Sequence, residues 1–240
     1  MKNIQQVLDE QDEIISQSAA NQSAHGFFAT LYRQVTADVA QGIKEKRFED
    51  NARMEQLDIV FAQRYLDAYN SYQSGGPCTH SWRVAFDADR SRKSILLQYL
   101  MLGMNAHINL DLGIAASEVM KDQAIETLKN DFDRINELLA ARVDESQDKI
   151  ARRSWLFGRL DGWMNKSDEW LAKFSINAAR DGAWAFAVDL HHQPQKETLI
   201  QTRDARIAEI GRMIEVPKGR VRWLLRLVKW TENQRLPWND

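Results

Sequence analysis

Apolar residues in this chain recur at spacings of three and four through long stretches that contain no proline, which confines it to packed helices. Phe27, Phe28, Leu31, Val35, Val39 and Ile43 form one such stripe, and Met54, Leu57, Phe61, Tyr65 and Ala68 form another. Ser91 to about Ala116 reads as one long helix, polar in its first turn and apolar through LLQYLMLGM, so it belongs near the centre. The four prolines, Pro77, Pro194, Pro217 and Pro237, fall between the periodic stretches, and Gly75, Gly76 and Pro77 mark the clearest loop. No run alternates apolar and polar β-branched residues, so no strand is expected. The fold class is therefore all-α, a single multi-helix domain of seven to nine helices. Further helices are expected at Ile4–Ser18, Ala24–Lys46, Asp50–Tyr72, Lys121–Arg142, Gln147–Leu160, Asp168–His191 and Lys196–Ile214, with a short basic one closing the chain.

Composition narrows the function classes. Hydrophobic residues make up 44% of the 240, enough for a sizeable core. The 32 Lys plus Arg against 34 Asp plus Glu leave a net charge of -2, with no general pull toward nucleic acid. One cysteine, Cys78, excludes a disulfide framework and a Cys-rich zinc site. The start lacks the apolar run of a secretory signal, and no stretch of about 18 uncharged apolar residues suits a bilayer span. A cytoplasmic location is the expectation. Eight tryptophans leave room for an apolar surface through which copies could form a homo-oligomer.

GMNAHINLDLGIAA, residues 103–116, carries the strongest chemical signal. His107 and Asp111 lie one turn apart on one face of the helix. Asn105 and Asn109 make a second row, about 160–200° around the axis at roughly 100° per residue. Buried polar side chains need partners, so these four form either a site or a packing network. His-x-x-x-Asp can hold a metal, or it can fix a histidine tautomer for general-base work. Asp58 has apolar helical neighbours in Met54, Phe61 and Ala62 and should project into the core, where it coordinates a cation or pairs with Arg180 or Arg64. Asp131 borders the stripe Leu128, Ile135 and Leu138. Asp204 sits on the apolar side of its helix, within reach of Arg180 or Arg203.

The first reading is an enzyme, a metal-dependent hydrolase acting on a small-molecule substrate. His107 and Asp58 would be catalytic, Asn105, Asn109, Trp82 and Arg180 would contact substrate, and Asp58, His107, Asp111 and Asp131 would bind one or two divalent ions of zinc, iron or manganese. One of His191 or His192 would complete the set. A lone cysteine two residues from His80 is a weaker nucleophile candidate. The second reading is a non-catalytic helical scaffold or binding module in which the same polar residues only lock the packing. The familiar nucleotide, metalloprotease and serine-hydrolase motifs are absent. The tail over residues 217–240 is basic and amphipathic; it docks on its own domain or lies on an anionic membrane surface.

FFATLYRQVTADVAQGI, RMEQLDIVFAQRYLDAY, SWRVAF, LLQYLMLGMNAHINLDLGIAA, LKNDFDRIN and FSINAARDGAWAFA together resemble an uncharacterised bacterial family of the domain-of-unknown-function kind. The resemblance covers most of residues 25–210, has GMNAHINLDL as its most specific part, and leaves the tail after about Pro217 outside. It implies a helical domain and no particular reaction. His107 and Asp111 are also similar to one ligand pair of the helical zinc-dependent phospholipase C and single-strand nuclease fold, whose enzymes use more histidines and a processed N-terminal Trp. A di-iron oxygenase would suit a carboxylate-rich helical site, but the chain lacks its Glu-x-x-His motif.

Overall fold

The computed structural model describes residues 2–135 and 176–231. Among them are nine α-helices and no strand: α1 (Ile4–Ala20), α2 (His25–Lys44), α3 (Asn51–Gln73), α4 (His80–Ser91), α5 (Leu96–Ala106), α6 (Leu112–Val119), α7 (Ile176–His192), α8 (Lys196–Glu215) and α9 (Arg220–Thr231). Residues 129–135 are helical too, preceded by a 3₁₀ turn at Ile125–Leu128. The expected helix at 147–160, and the parts of the expected helices over 136–142 and 168–175, lie outside the described residues.

The apolar segment does form the hub. Helix α5, a π turn at His107–Asp111 and α6 run on as one buried rod, packed against α2, α3, α4, α7 and α8. It starts at Leu96 rather than Ser91, because Arg92 takes a left-handed conformation (φ 49°) that ends the preceding helix. That preceding helix, α4, is a short element the periodicity did not separate. Helix α5 begins with the amide side chain of Gln98, which accepts from the Ile95 N–H at 3.0 Å and donates to the Ile214 carbonyl at 2.7 Å. One buried side chain thus caps α5 and ties it to the end of α8.

Three carboxylates do similar work over longer distances. Asp89 accepts from the Ala24 N–H (3.0 Å) and the Ser23 hydroxyl (2.8 Å) at the start of α2. Asp131 accepts from the N–H groups of Glu49 (2.7 Å) and Asp50 (3.0 Å) just before α3. Asp204 accepts from the N–H groups of His80 (2.7 Å) and Ser81 (2.9 Å) at α4. Helix starts leave unpaired N–H groups and a partial positive charge, so a carboxylate from another element satisfies both. Asp204 therefore pairs with the start of α4 rather than with Arg180 or Arg203.

Close packing at the hub depends on glycine. A Cβ on Gly113 would lie 2.7 Å from Phe186 and 2.9 Å from the Ala183 carbonyl, both on α7. Gly113→Ala gains helix propensity of about 1 kcal/mol but overpacks the α6–α7 contact against backbone as well as side chain, at the upper end of about 1–3 kcal/mol, so a net loss of up to about 2 kcal/mol is expected in urea unfolding. A variant at least as stable as the wild type would show that α6 and α7 separate easily.

Candidate functional site

The π turn is where the hub helix departs from α geometry, with the Leu112 N–H reaching back five residues to the His107 carbonyl. Such widened turns recur at functional sites. Arg203 donates from Nε to the Asn109 carbonyl inside it, at 3.0 Å. The two polar rows face different neighbours, as their spacing requires. Asn105 donates to the Ile207 carbonyl of α8 (2.9 Å) and accepts from the Asn109 amide (3.2 Å), so this row is a satisfied link to α8.

The His107–Asp111 row faces α2, α3 and α4. Asp111 is buried and accepts three hydrogen bonds: from Arg64 Nε at 2.9 Å, Trp82 Nε1 at 2.7 Å and His107 Nδ1 at 3.1 Å. Burial pushes its carboxyl up, but the His107, Arg64 and Trp82 donors overcome this and hold it below the usual carboxylate range. An ionised Asp111 only accepts, so the Nδ1 of His107 carries the proton and Nε2 presents its lone pair. The ring is stacked on Phe61 with centroids 3.6 Å apart and meets the edge of Tyr32 at 4.4 Å. Burial in this aromatic cage lowers the His107 pKa against the pull of Asp111.

A cavity of about 50 Å³ opens beside His107, lined by Phe28, Leu57, Phe61, Ile108, Leu112 and other apolar side chains, and by Tyr32, Asp58 and Arg180. At about 10–15 Å³ each it has room for about three to five waters. Its few polar groups are left unmatched: Asp58 Oδ2, His107 Nε2, Arg180 Nε and the Tyr32 hydroxyl have no hydrogen-bond partner. Asp58 is pushed by burial, with a small addition from Glu55, to a pKa of about 8, so at neutral pH most of it is a neutral carboxylic acid. Arg180 packs its guanidinium over the Phe132 ring and donates to the Phe132 carbonyl at 2.5 Å. Burial lowers its pKa to about 10, opposed by Asp133 and Asp181, and it stays charged at neutral pH. Neither expected partner of Asp58 is bonded to it: Arg64 is committed to Asp111 and Arg180 to Phe132.

On the other side of Asp111 lies an open cleft of about 450 Å³ bordered by Arg64, Asp67, Ser71, Cys78, Thr79 and Trp82. The Asp–His pair thus joins cleft to cavity. Burial pushes the Cys78 thiol up, away from nucleophilic use, and His80 Nδ1 is 3.0 Å from Asp204. The structure brings together Asp58, His107, Asp111, Trp82 and Arg180 from the residues singled out by sequence. It places Asp131 at the start of α3, Asn105 and Asn109 against α8, and His191 and His192 at the end of α7, none of them lining the cavity. Among the described residues no group of three or more His, Cys, Asp or Glu side chains could hold a metal ion; a cation in the cavity would find two unpaired ligand atoms, Asp58 Oδ2 and His107 Nε2. Sequence reasoning missed Tyr32, and it offered Arg64 to Asp58 rather than to Asp111. Arg64 lies off the Asp58 face, and nothing local signals its reach to Asp111.

Fold and site together define an all-helical protein whose central helix widens to seat a buried Asp–His pair beside an apolar cavity. The chain belongs to the family of unknown function DUF5995, whose model matches residues 4–217. The match ends at Pro217, so α9 lies beyond the family's shared region. No curated protein and no solved structure matches the chain, so the similarity to zinc phospholipases and nucleases that the His107–Asp111 spacing suggests finds no support.

Proposed function

We propose that the protein is an enzyme that transforms a small molecule in the Asp58–His107–Arg180 cavity, with His107 as general base. The observation that carries this reading is the set of four unmatched polar atoms, Asp58 Oδ2, His107 Nε2, Arg180 Nε and the Tyr32 hydroxyl, on residues lining one apolar cavity. More than about 90% of buried polar groups in folded proteins are paired, so four such groups around one void mark the place of a ligand. The work divides by protonation state. His107, anchored by Asp111, takes a proton at Nε2 from a water or from the substrate, and Asp111 stabilises the imidazolium that forms. Neutral Asp58 returns a proton to the leaving group. Arg180 supplies fixed positive charge for an anionic group or a developing oxyanion. Hydrolysis is the reaction class that this acid, base and cation suit best, and a divalent ion held by Asp58 and His107 would serve the same end by activating the water.

Elemental analysis of the purified, tag-free protein, beside a hydrolase screen on ester, amide and phosphate substrates, tests this reading. His107→Gln is expected to lose about 10²–10⁴-fold in turnover on any substrate found, with its fold retained by circular dichroism. Stoichiometric metal lost in the variant would assign the metal-assisted form. A His107→Gln protein as active as the wild type would remove the proposal. The scaffold reading has its own support in the satisfied Asn105–Asn109 link to α8, and it predicts that no His107 substitution alters any ligand binding.

A further inference from the structure

Helix α9 lies beyond the family match, and its two faces differ. Leu225 and Val228 are buried in the core, with Val221 half-buried beside them, and Lys229 donates to the Ser94 carbonyl at 2.5 Å. This is the docked face. The opposite face carries Trp223, Leu227 and Trp230, spaced four and three residues apart and so aligned in one row. They are 65%, 39% and 87% exposed. Met213 and Val216, at the end of α8, are the other large apolar residues left exposed among those described. Singly exposed apolar residues need no explanation, but two tryptophans and a leucine aligned on one helix do.

Charge says what they meet. Residues 217–231 hold five cations, Lys218, Arg220, Arg222, Arg226 and Lys229, and no acidic residue, in a chain whose net charge is -2. Arg222 and Arg226 are exposed and flank the tryptophan row on one side. No helix among the described residues is long and apolar enough to cross a membrane. A helix held to its protein by one face, with Trp and Leu projecting from the other and Arg beside them, matches a surface that inserts shallowly into anionic lipid headgroups. Tryptophan's amphipathic ring favours that interface, and arginine meets the lipid phosphates. We infer that the outer face of α9 is a docking surface for an anionic membrane, carried as an addition to the shared domain. This inference does not depend on the chemistry of the cavity.

The test uses the full chain and vesicles of phosphatidylcholine, with or without about one third phosphatidylserine. The wild type is expected to cosediment with the anionic vesicles, to ignore the neutral ones, and to release as salt rises. Trp223→Ser with Trp230→Ser should lower apparent vesicle affinity by about tenfold or more. Arg222→Glu with Arg226→Glu should lower it by a similar factor, by reversing two charges at the surface. All four side chains point away from the core, so unchanged thermal melts are expected. The proposal is overturned if the wild type stays in the supernatant, if both double variants bind as it does, if it binds a homopolymeric RNA and not the vesicles, or if the tryptophans prove to seal a dimer.

Discussion

Asp58→Asn is expected to be more stable than the wild type by about 3–5 kcal/mol at pH 8 and within about 1 kcal/mol of it at pH 4. The raised pKa sets the direction. Burial lifts the Asp58 carboxyl from 3.8 to about 8 in the fold. Between those values the unfolded chain has released the proton and the folded one still holds it, so stability falls as pH rises. The contribution is intact below about pH 4 and is lost by the time pH passes about 8, stability dropping by about 1.4 kcal/mol for each pH step of one between the two values. Asparagine is neutral throughout and has no such slope. Urea unfolding of both proteins between pH 4 and 8 measures the difference directly, and a rise of roughly 10 °C in Tm should accompany it at pH 8. Parallel pH profiles would mean that the wild-type carboxylate is charged and partnered, as a bound cation would make it. A buried acid kept at such a loss of stability is the usual mark of a working residue.

Asp111→Ala is expected to cost about 3–5 kcal/mol at neutral pH, because it leaves Arg64, the Trp82 indole N–H and the His107 Nδ1–H without their shared acceptor. Here the pH dependence runs the other way. The Asp111 carboxyl is held below its unfolded pKa, so its contribution is present above that value and is lost as pH falls through the folded one. His107 acts in the same direction: its folded pKa is depressed, so the unfolded chain takes up the proton first on acidification. Removing Asp111 should therefore lower the plateau and flatten the part of the acid limb that the carboxylate titrates, while His107, no longer held up by Asp111, is depressed further and steepens its own part. A double-mutant cycle with Trp82→Phe should show coupling of about 1–3 kcal/mol, read from urea midpoints. A loss below about 1 kcal/mol, with no change in the acid limb, would mean that water replaces the carboxylate and that the pair holds neither the fold nor the histidine.

Much of the candidate site can be read from single-helix geometry. His107 and Asp111 announce each other because four residues make about one turn, and Asp58 stands out because its neighbours at three and four positions are apolar. The opposed Asn105–Asn109 row follows from the same arithmetic, and it does face a different helix. The true partner of Arg64 could not be found this way. Its neighbours in the sequence point elsewhere, and the carboxylate it meets is 47 residues away. Asp131 and Asp204 show the opposite failure. Their position at the edge of an apolar stripe signals burial, but a carboxylate satisfied by helix N–H groups and one bound to metal look alike until the partner is known.

The chain's periodicity by itself determined that the protein is helical, that the apolar part of the segment from Ser91 to about Ala116 occupies its centre, and that two polar rows lie inside that centre. These are local properties, set by the repeat of the helix and the avoidance of water by apolar side chains. The π turn, the separate helix α4 and the division of labour among the buried carboxylates were decided only by the tertiary structure. A carboxylate's role depends on which donors other elements bring to it: three for Asp111, two backbone N–H groups for Asp131, and none for Asp58 Oδ2. Those donors come from residues far away in sequence, so the role is a property of the packing, because a buried charge is stable only where its partners converge.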